Sequence, residues 1–584
     1  MRFLIIYLLF FLSSLTVQLK AQSFELEYIF DQTIEIPRKY QGKKPSSMLE
    51  AAGMSEEVIT HLLENDYLEA TLDSVNVDTL QYRYLAHIHT GPVYKFESLK
   101  LDSTGLFFLN ELGILPPETA NDFLFARERI SDYYATIGYP FAKVRLNQLE
   151  LDQGKINARL RINEGPRIIM DSIRVHGDVK LRYGYWENYL NIDFSESYNH
   201  EDIMDVENKV KKLTFLELEK NPELSFFYDY ASLDLYVKKK NSSRFDLIFG
   251  VIPTNSIEGK QLFLSMDFTA EMLNRMGYGE YLFIDFERLR PEQQKLEVEF
   301  NYPYLLDLPY GLDAHFSIFR NGFDYQTIRS DLGIQYLINS SDFLKLYWNI
   351  ESSRLIDLDT TRLKNTMMLP EDLDVNINGI GLEYFLTRLD YKFNPRRGYQ
   401  LRVNASGGLR RIKENLAILS LGDDNFDFQT LYDELDLEEP RFEIRTNLSC
   451  YYPLKDRGAF AFHLNGGWKY SSSQLRRNEK FQIGGNNLLR GFDEASIFTS
   501  WYGLTTIEYR LLLSNNSYFS LPFIDFAILE DTEGDTSYAL GIGGSLGIET
   551  NVGLFNFSIA VGRTENEAFD FSRPKAHFGF VSLF

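Results

Sequence analysis

Side chains able to make or break bonds are scarce in this chain. Its eight histidines are scattered and Cys450 is the single cysteine, so neither type has metal-ligand spacing. His61 opens HLLEN (61–65), half of a zinc motif, but it falls on a periodic helix with no second histidine at the required spacing. There is no G-x-S-x-G, H-E-x-x-H or Walker loop. The sequence therefore predicts a non-enzyme without a cofactor. The residues that stand out lie in FQIGGNNLLRGFDE (481–494), where Arg490 sits between Leu489 and Gly491. Loops between strands drift towards small and polar residues. This one surrounds a single guanidinium with apolar side chains.

The chain opens MRFLIIYLLFFLSSLTVQLKAQS, with Arg2 ahead of an apolar run from Phe3 to Val17 and then Ala21-Gln22. That run is short for a membrane span and ends at a small residue, so residues 1–21 read as a secretory signal peptide. Leu19 is larger than the residue preferred two positions before the cut. No cysteine follows the cut, which argues against a lipid-anchored N-terminus. With one cysteine an exported chain forms no intramolecular disulfide, and its stability must come from burial and hydrogen bonding. A net charge of −23 excludes the basic stripe that nucleic acid requires. Aromatic residues make up 15% of the chain, with 36 Tyr and 46 Phe, and no second apolar stretch nears 20 residues. That combination points to a transmembrane β-barrel in contact with lipid.

Two rhythms divide the mature chain. Between residues 22 and 240, helical periods alternate with short strands. Val58, Ile59, Leu62 and Leu63 mark the first helix; Phe123, Ile130 and Ile137 the second; Ile203, Val206, Val210 and Leu213 the third. TGPVYKFESLKL (90–101) matches EGPRIIMDSIRV (164–175), and NDYLEATL (65–72) resembles IGYPFAKV (137–144). Such repeats predict tandem small α+β domains over 22–91, 92–166 and 167–240.

From 241 to 584 strand alternation takes over. In KLEVEFNY, Glu297, Glu299 and Asn301 oppose Leu296, Val298 and Phe300; in GYQLRVN, Gln400, Arg402 and Asn404 oppose Tyr399, Leu401 and Val403. At roughly 10 residues per strand plus turns, this span accommodates about 16 antiparallel strands. Closure is required, because an open edge in lipid leaves amides unpaired. The acidic, aromatic-rich segment 421–440 reads as a long external loop. In TTIEYRLLL (505–513), Glu508 and Arg510 share the face opposite Ile507, Tyr509 and Leu511. In PFIDFAIL (522–529), Asp525 opposes Ile524, Phe526 and Ile528. Apolar faces must meet lipid, so both carboxylates point into the lumen.

Repeated α+β units, a barrel and a loop reading GGNNLLRGF together resemble the BamA/TamA superfamily of outer-membrane assembly and translocation proteins. The family's loop motif, Val-Arg-Gly-Phe/Tyr, is matched by Leu489, Arg490, Gly491 and Phe492. FNPRRGYQLRV (393–403) is similar to its Pro-x-x-Gly strand start, and GIGGSLGIETNVGLFNFSIAVG (541–562) to its glycine-rich penultimate hairpin. Ala527 replaces glycine in the strand usually written Phe-x-Asp-x-Gly. His577, Gly579 and Phe584 match the terminal strand signal, while Ser582 departs from it.

The resemblance implies periplasmic POTRA domains followed by an outer-membrane barrel. It implies a loop folded into the lumen, where Arg490 pairs with Glu508, Asp525 or both, as a guanidinium fork suits carboxylates. It implies strand exchange at a seam between RFDLIFGV (244–251) and HFGFVSLF (577–584), by the logic of β-augmentation. Three POTRA units are nearest to a TamA-like translocation and assembly factor acting on client outer-membrane or exported proteins with a TamB-like periplasmic partner. A BamA-like insertase is the alternative within the family, and a passive porin or solute channel the alternative outside it.

Overall fold

The computed structural model describes residues 23–584, apart from 102–111, 114, 241–242, 257–258, 289–292, 340, 391–394, 423–425, 456, 486–487, 494, 514–516, 531–533, 551–552, 566 and 583–584. The signal-peptide segment and Phe584 therefore lie outside the described residues. Two compact units are present. One runs to Met170 and includes Ser195–Ile203 and Phe226–Ala231; the other holds Asp171–Phe194, Met204–Ser225 and Ser232–Phe584.

The first unit contains two sheets of one design. The chain forms β1 (Glu25–Phe30), helix α1 (Met48–Leu63), β2 (Thr71–Asp78) and β3 (Arg83–His89), then β4 (Lys95–Lys100), α2 (Ala120–Thr136), β5 (Lys143–Asp152) and β6 (Lys155–Asn163). In each sheet the last strand is central, parallel to the first and antiparallel to the second. The sequence repeat thus reflects a repeated topology. Ser47 caps α1 by accepting from the Glu50 amide, and Thr119 with Asp122 forms a capping box on α2. Ala51, Ser55, Val58 and Leu62 lie on the buried face of α1. Leu63 is exposed, and Ile137 is the C-cap of α2 rather than part of its buried face. One residue is about 100° around a helix, which carries Leu63 off the face that holds Leu62.

A third sheet has the same order. β7 (Ile169–Gly177) and α3 (Tyr183–Leu190) are followed by α4 (His200–Lys212), β8 (Leu216–Leu218), β9 (Glu223–Phe227) and β10 (Tyr230–Lys239). β10 lies between β7 and β8, and β9 pairs with β10 as an addition. Helix α3 has no counterpart in the periodicity read from the sequence. It is short, and four of its buried residues, Tyr185, Trp186, Tyr189 and Leu190, are large. Within the second unit it seats on the sheet turn at 303–309. Tyr185 meets the Tyr304 ring edge-on at 5.1 Å, Arg182 Nη2 donates to the Tyr304 carbonyl at 3.1 Å, and Asn188 Nδ2 donates to the Asp307 carbonyl at 2.9 Å. Burial pushes the Tyr185 hydroxyl well above its ordinary pKa.

Sixteen strands then form one sheet in chain order. They are β11 (Arg244–Ser256), β12 (Gly259–Leu273), β13 (Tyr281–Arg288), β14 (Gln293–Tyr302), β15 (Tyr310–Asn321), β16 (Tyr325–Leu337), β17 (Phe343–Leu355), β18 (Asp374–Leu389), β19 (Gly398–Lys413), β20 (Glu438–Leu454) and β21 (Gly458–Ser471). A separate two-stranded hairpin, β22 (Phe481–Ile483) with β23 (Ile497–Thr499), interrupts the series. The sheet resumes with β24 (Trp501–Leu512), β25 (Tyr518–Glu530), β26 (Thr536–Thr550), β27 (Gly553–Thr564) and β28 (Lys575–Ser582). Every neighbouring pair is antiparallel. β11 and β28 approach each other, but among the described residues no ladder joins them. His577 and Gly579 lie on β28, and residues 244–251 on β11.

The long connections 356–373, 414–437 and 472–500 leave the same end of the sheet. The expected long external loop over 421–440 is present up to residue 437, where it gives way to a strand, and it carries apolar packing of its own. β20 begins at Glu438, and Phe428 and Tyr432 are buried with Leu363, Leu373, Val375, Ile412 and Ile418. The aromatic and aliphatic side chains of these connections supply a small core of their own.

Leu62 is 2% exposed in the core of the first sheet. Leu62→Ala is expected to destabilise that domain by about 2–5 kcal/mol. Limited proteolysis of the whole chain should then cut within residues 23–90 sooner, while heat-modifiable gel mobility of the barrel stays unchanged.

Candidate functional site: a loop held against the inner wall

Alternation sets the wall on which the 472–500 loop rests. Along β24 the buried side chains are Tyr502, Leu504, Thr506, Glu508, Arg510 and Leu512; along β25 they include Phe523, Asp525, Ala527 and Leu529. The intervening Ile507, Ile524, Phe526 and Ile528 are exposed on the opposite face. Register assembles the inward residues into rows across the sheet. One row is Leu504–Ala527–Ala539, the next Thr506–Asp525–Gly541–Gly562, and the third Glu508–Phe523–Gly543–Ala560. They are, in order, apolar, acidic with an empty half, and acidic with an aromatic.

The loop fits these rows residue by residue. Leu489 is fully buried in a cluster with Leu504, Ala527 and Ala539, joined by Phe481 and Ile483 from the hairpin. These contacts account for the apolar residues around the arginine. Arg490 meets the second and third rows. Its Nε donates to Asp525 Oδ2 at 2.8 Å, its Nη2 to Asp525 Oδ1 at 2.6 Å, and its Nη1 to Glu508 Oε1 at 2.7 Å. Its backbone amide also donates to Asp525 Oδ2, at 3.0 Å. The guanidinium carbon lies 3.4 Å from the centroid of the Phe523 ring, a cation–π contact on a desolvated face. Both carboxylates named from the sequence therefore hold the arginine. Asp525 takes the two-pronged share and Glu508 the single bond.

Neighbouring groups complete the charge balance. Thr506 Oγ1 donates to Asp525 Oδ1 at 2.9 Å, and Arg510 Nε to Glu508 Oε2 at 2.8 Å. Two guanidiniums thus face two carboxylates. Ladder register slips between Glu508 and Arg510, a bulge that re-aims side chains beside the lock. Gly491 takes φ 94°, and a Cβ there would lie 2.7 Å from the Gly562 amide nitrogen. A Cβ on Gly541 would lie 2.0 Å from the Arg490 carbonyl oxygen. The glycine-rich hairpin recognised in the sequence is thus the surface that lets the loop backbone reach the wall. Phe492 rests there too, since a Cβ on Gly562 would come 2.9 Å from its ring. Ala527 shares Asp525's face and packs in the Leu489 cluster, so its departure from glycine is absorbed by apolar contact.

A second anchor escaped the sequence reading. Arg410, fully buried on β19, donates through Nε and Nη2 to both oxygens of Glu479 at 2.7 and 2.6 Å, and through Nη1 to Glu439. Glu479 belongs to the loop, so the polarity is reversed: wall arginine, loop acid. Lys469 Nζ donates to the Glu479 carbonyl at 2.7 Å, and Asn478 Nδ2 to Ser353 Oγ at 2.8 Å. The signal was present. Gln400, Arg402 and Asn404 share one face of β19, and the same parity extended along the strand reaches Arg410.

Elsewhere in the lumen Glu297, Glu299 and His315 bring ligand-type atoms within 4.8 Å of one another. Lys295 Nζ lies 2.9 Å from Glu297, and His315 Nε2 lies 3.1 Å from the same carboxylate. That geometry is an ion-pair network. His61 sits on α1, where Asn65 donates to its carbonyl at 2.7 Å.

Forming a buried pair yields little net stability, but removing one partner costs about 3–5 kcal/mol because the other is left charged and dry. Arg490→Ala should therefore release the loop, seen as new protease cleavage between 484 and 496, with the barrel still heat-modifiable. Arg490→Lys should rescue poorly, since one ammonium cannot reproduce the fork. Gly541→Ala should expel the loop with every charge retained. Protection of the loop in that variant would show that the glycine row does not seat it.

An Omp85 superfamily domain model matches residues 274–580. No curated protein sequence matches the chain. Among solved structures, CdiB from Escherichia coli superposes with a TM-score of 0.52 at 12% identity, covering 95% of this chain and 100% of that one. CdiB from Acinetobacter baumannii gives 0.49 at 12% identity over 84% and 89% of the two chains. BamA from Haemophilus ducreyi lacking POTRA domains 1–3 gives 0.48 at 17% identity over 84% and 100%. At 12% identity the likeness to CdiB from Escherichia coli is one of fold. The family match covers more than half of the chain, and the protein belongs to the Omp85 superfamily.

Proposed function

We propose that this protein is a TamA-like assembly and translocation component of the bacterial outer membrane. In this reading it offers the edge between β11 and β28 to incoming client strands, and its N-terminal domains (22–91, 92–166 and 167–240) stand in the periplasm. Omp85 proteins insert or export outer-membrane proteins and are not enzymes, which bounds the activity. The observation that carries the finer reading is the row of three sheets with one strand order ahead of a barrel whose end strands approach without a ladder. BamA-type insertases usually carry five such domains, and two-partner secretion transporters two. Exposed sheet edges in the three domains suit the capture of extended client segments or of a TamB-like partner. A BamA-like insertase role is the reading that three domains favour less.

A passive pore fits the geometry poorly. The lumen is crossed by the anchored loop, and the space beside it, about 810 Å³, is lined by charges of both signs, among them Lys295, Glu297, Arg329 and Asp331. The two classes separate on deletion of residues 22–240. Client assembly should be lost while the barrel still inserts and its single-channel conductance can be recorded. Assembly that persists without these domains would sink the TamA-like reading.

A further inference from the structure

We infer that a groove on the lipid-facing side of β20, β21, β24 and β25 is a seat for one acyl chain of a membrane lipid, in the leaflet at the loop-bearing end. The groove has a volume of about 540 Å³ and is open along the outer wall. Its rim is carbon, formed by Ile444, Leu464, Trp468, Trp501, Phe526 and Ile528. Thr446 and Thr505 contribute hydroxyls, and no charged side chain lines it. By parity these residues stand opposite the lumen-facing Glu443, Tyr502, Asp525 and Ala527. The groove is therefore continuous with the apolar band that meets hydrocarbon.

The floor is the informative part. Gly466 and Gly503 are directly paired, in a β21–β24 ladder that runs without a register shift. Glycine within a strand weakens it, and commonly marks a bulge, a bend or a close approach by a ligand or another backbone. There is no bulge here, and neither glycine has a left-handed φ. A Cβ on Gly503 would meet nothing within 4 Å, and one on Gly466 only the Tyr502 carbonyl oxygen at 3.8 Å. Gly467 next door is different. Its Cβ would lie 2.5 Å from Tyr502 Cε1 and 2.9 Å from Phe481, so the loop packed inside requires that glycine. At 466 and 503 the missing side chains serve only to keep the outer depression empty.

An acyl chain is the occupant that suits these walls. In hydrocarbon, apolar surfaces gain little from leaving lipid, so selection rests on close van der Waals fit. A carbon-lined depression floored by two glycines lets a single chain lie closer to the wall than the flanking side chains allow. The paired Trp468 and Trp501 stand at the end nearest the 472–500 loop, where aromatic girdles mark the interface. The wall is also thin at this point. Tyr502, whose backbone contributes to the groove, carries the Phe481 ring on its inner side at 5.3 Å. A seated chain would brace the strands on which the loop rests.

The test uses the full chain in nanodiscs containing a phospholipid with a diazirine midway along one acyl chain. Photolysis and peptide mapping are expected to place label on 464–468, 503–505 and 526–528 well above the rest of the apolar band. Gly466→Leu with Gly503→Leu fills the trough without displacing the backbone. It should reduce that label about tenfold, equivalent to roughly 1.4 kcal/mol of lost contact, and leave labelling elsewhere unchanged. Labelling spread evenly around the barrel, or undiminished in the double variant, overturns the assignment. So does cross-linking of these residues to a second copy in place of lipid. Heat-modifiable mobility confirms that the variant is folded.

Discussion

A guanidinium buried in a barrel lumen has to be met on all of its sides, and that requirement organises the inner wall around Arg490. The net gain from such a pair is small because both partners lose water. What the arrangement supplies is position. Two prongs on Asp525, one bond to Glu508 and an aromatic face beneath leave one orientation for the side chain. The backbone amide bonded to the same Asp525 fixes the main chain as well. A loop held in this way has a defined depth and direction, which apolar packing alone would leave loose.

The need to bring backbone that close explains the glycines. Asp525 can be reached because its neighbour across the ladder, Gly541, has no side chain, and Gly562 continues the gap. Opposite polarity at the other end prevents the loop from settling in reverse. Glu479 seeks a wall arginine while Arg490 seeks wall acids, so exchanging the two ends would set like charges against each other. The two anchors specify one threading of the loop.

Much of this was legible in the sequence because membrane strands obey a strict period. Alternation placed Glu508 and Asp525 on the lumen side without any structural information. The motif order then supplied their partner, and the repeat at 90–101 and 164–175 falls on the first strands of two sheets that share a strand order. What escaped was whatever depends on register between distant strands. Arg410 and Glu479 lie 69 residues apart, and nothing local in either segment names the other. Helix α3 escaped because eight residues give too little periodicity, and because its large aromatics serve a docking role. The small core within the 414–437 connection escaped because acidic composition conceals Phe428 and Tyr432, which are buried there.

The distribution of anchors bears on how the barrel could open. From the loop, bonds run to β16 through Gln482 and Tyr325, to β17 through Asn478 and Ser353, and to β19 through Glu479 and Arg410. Further bonds run to β24 and β25 through Arg490, and Lys575 at the start of β28 reaches Asp493 at 2.8 Å. The loop therefore ties the closing strand to the middle of the sheet across the lumen. None of these bonds ends on β11 to β15. Under the proposed mechanism, parting β11 from β28 would leave all of them in place, so the loop acts as a strut that keeps the β16–β28 wall in shape while the opposite edge moves. A lock on the moving side would have to break at each cycle and expose a buried charge. Placed here, it lets the edge open while every guanidinium stays paired.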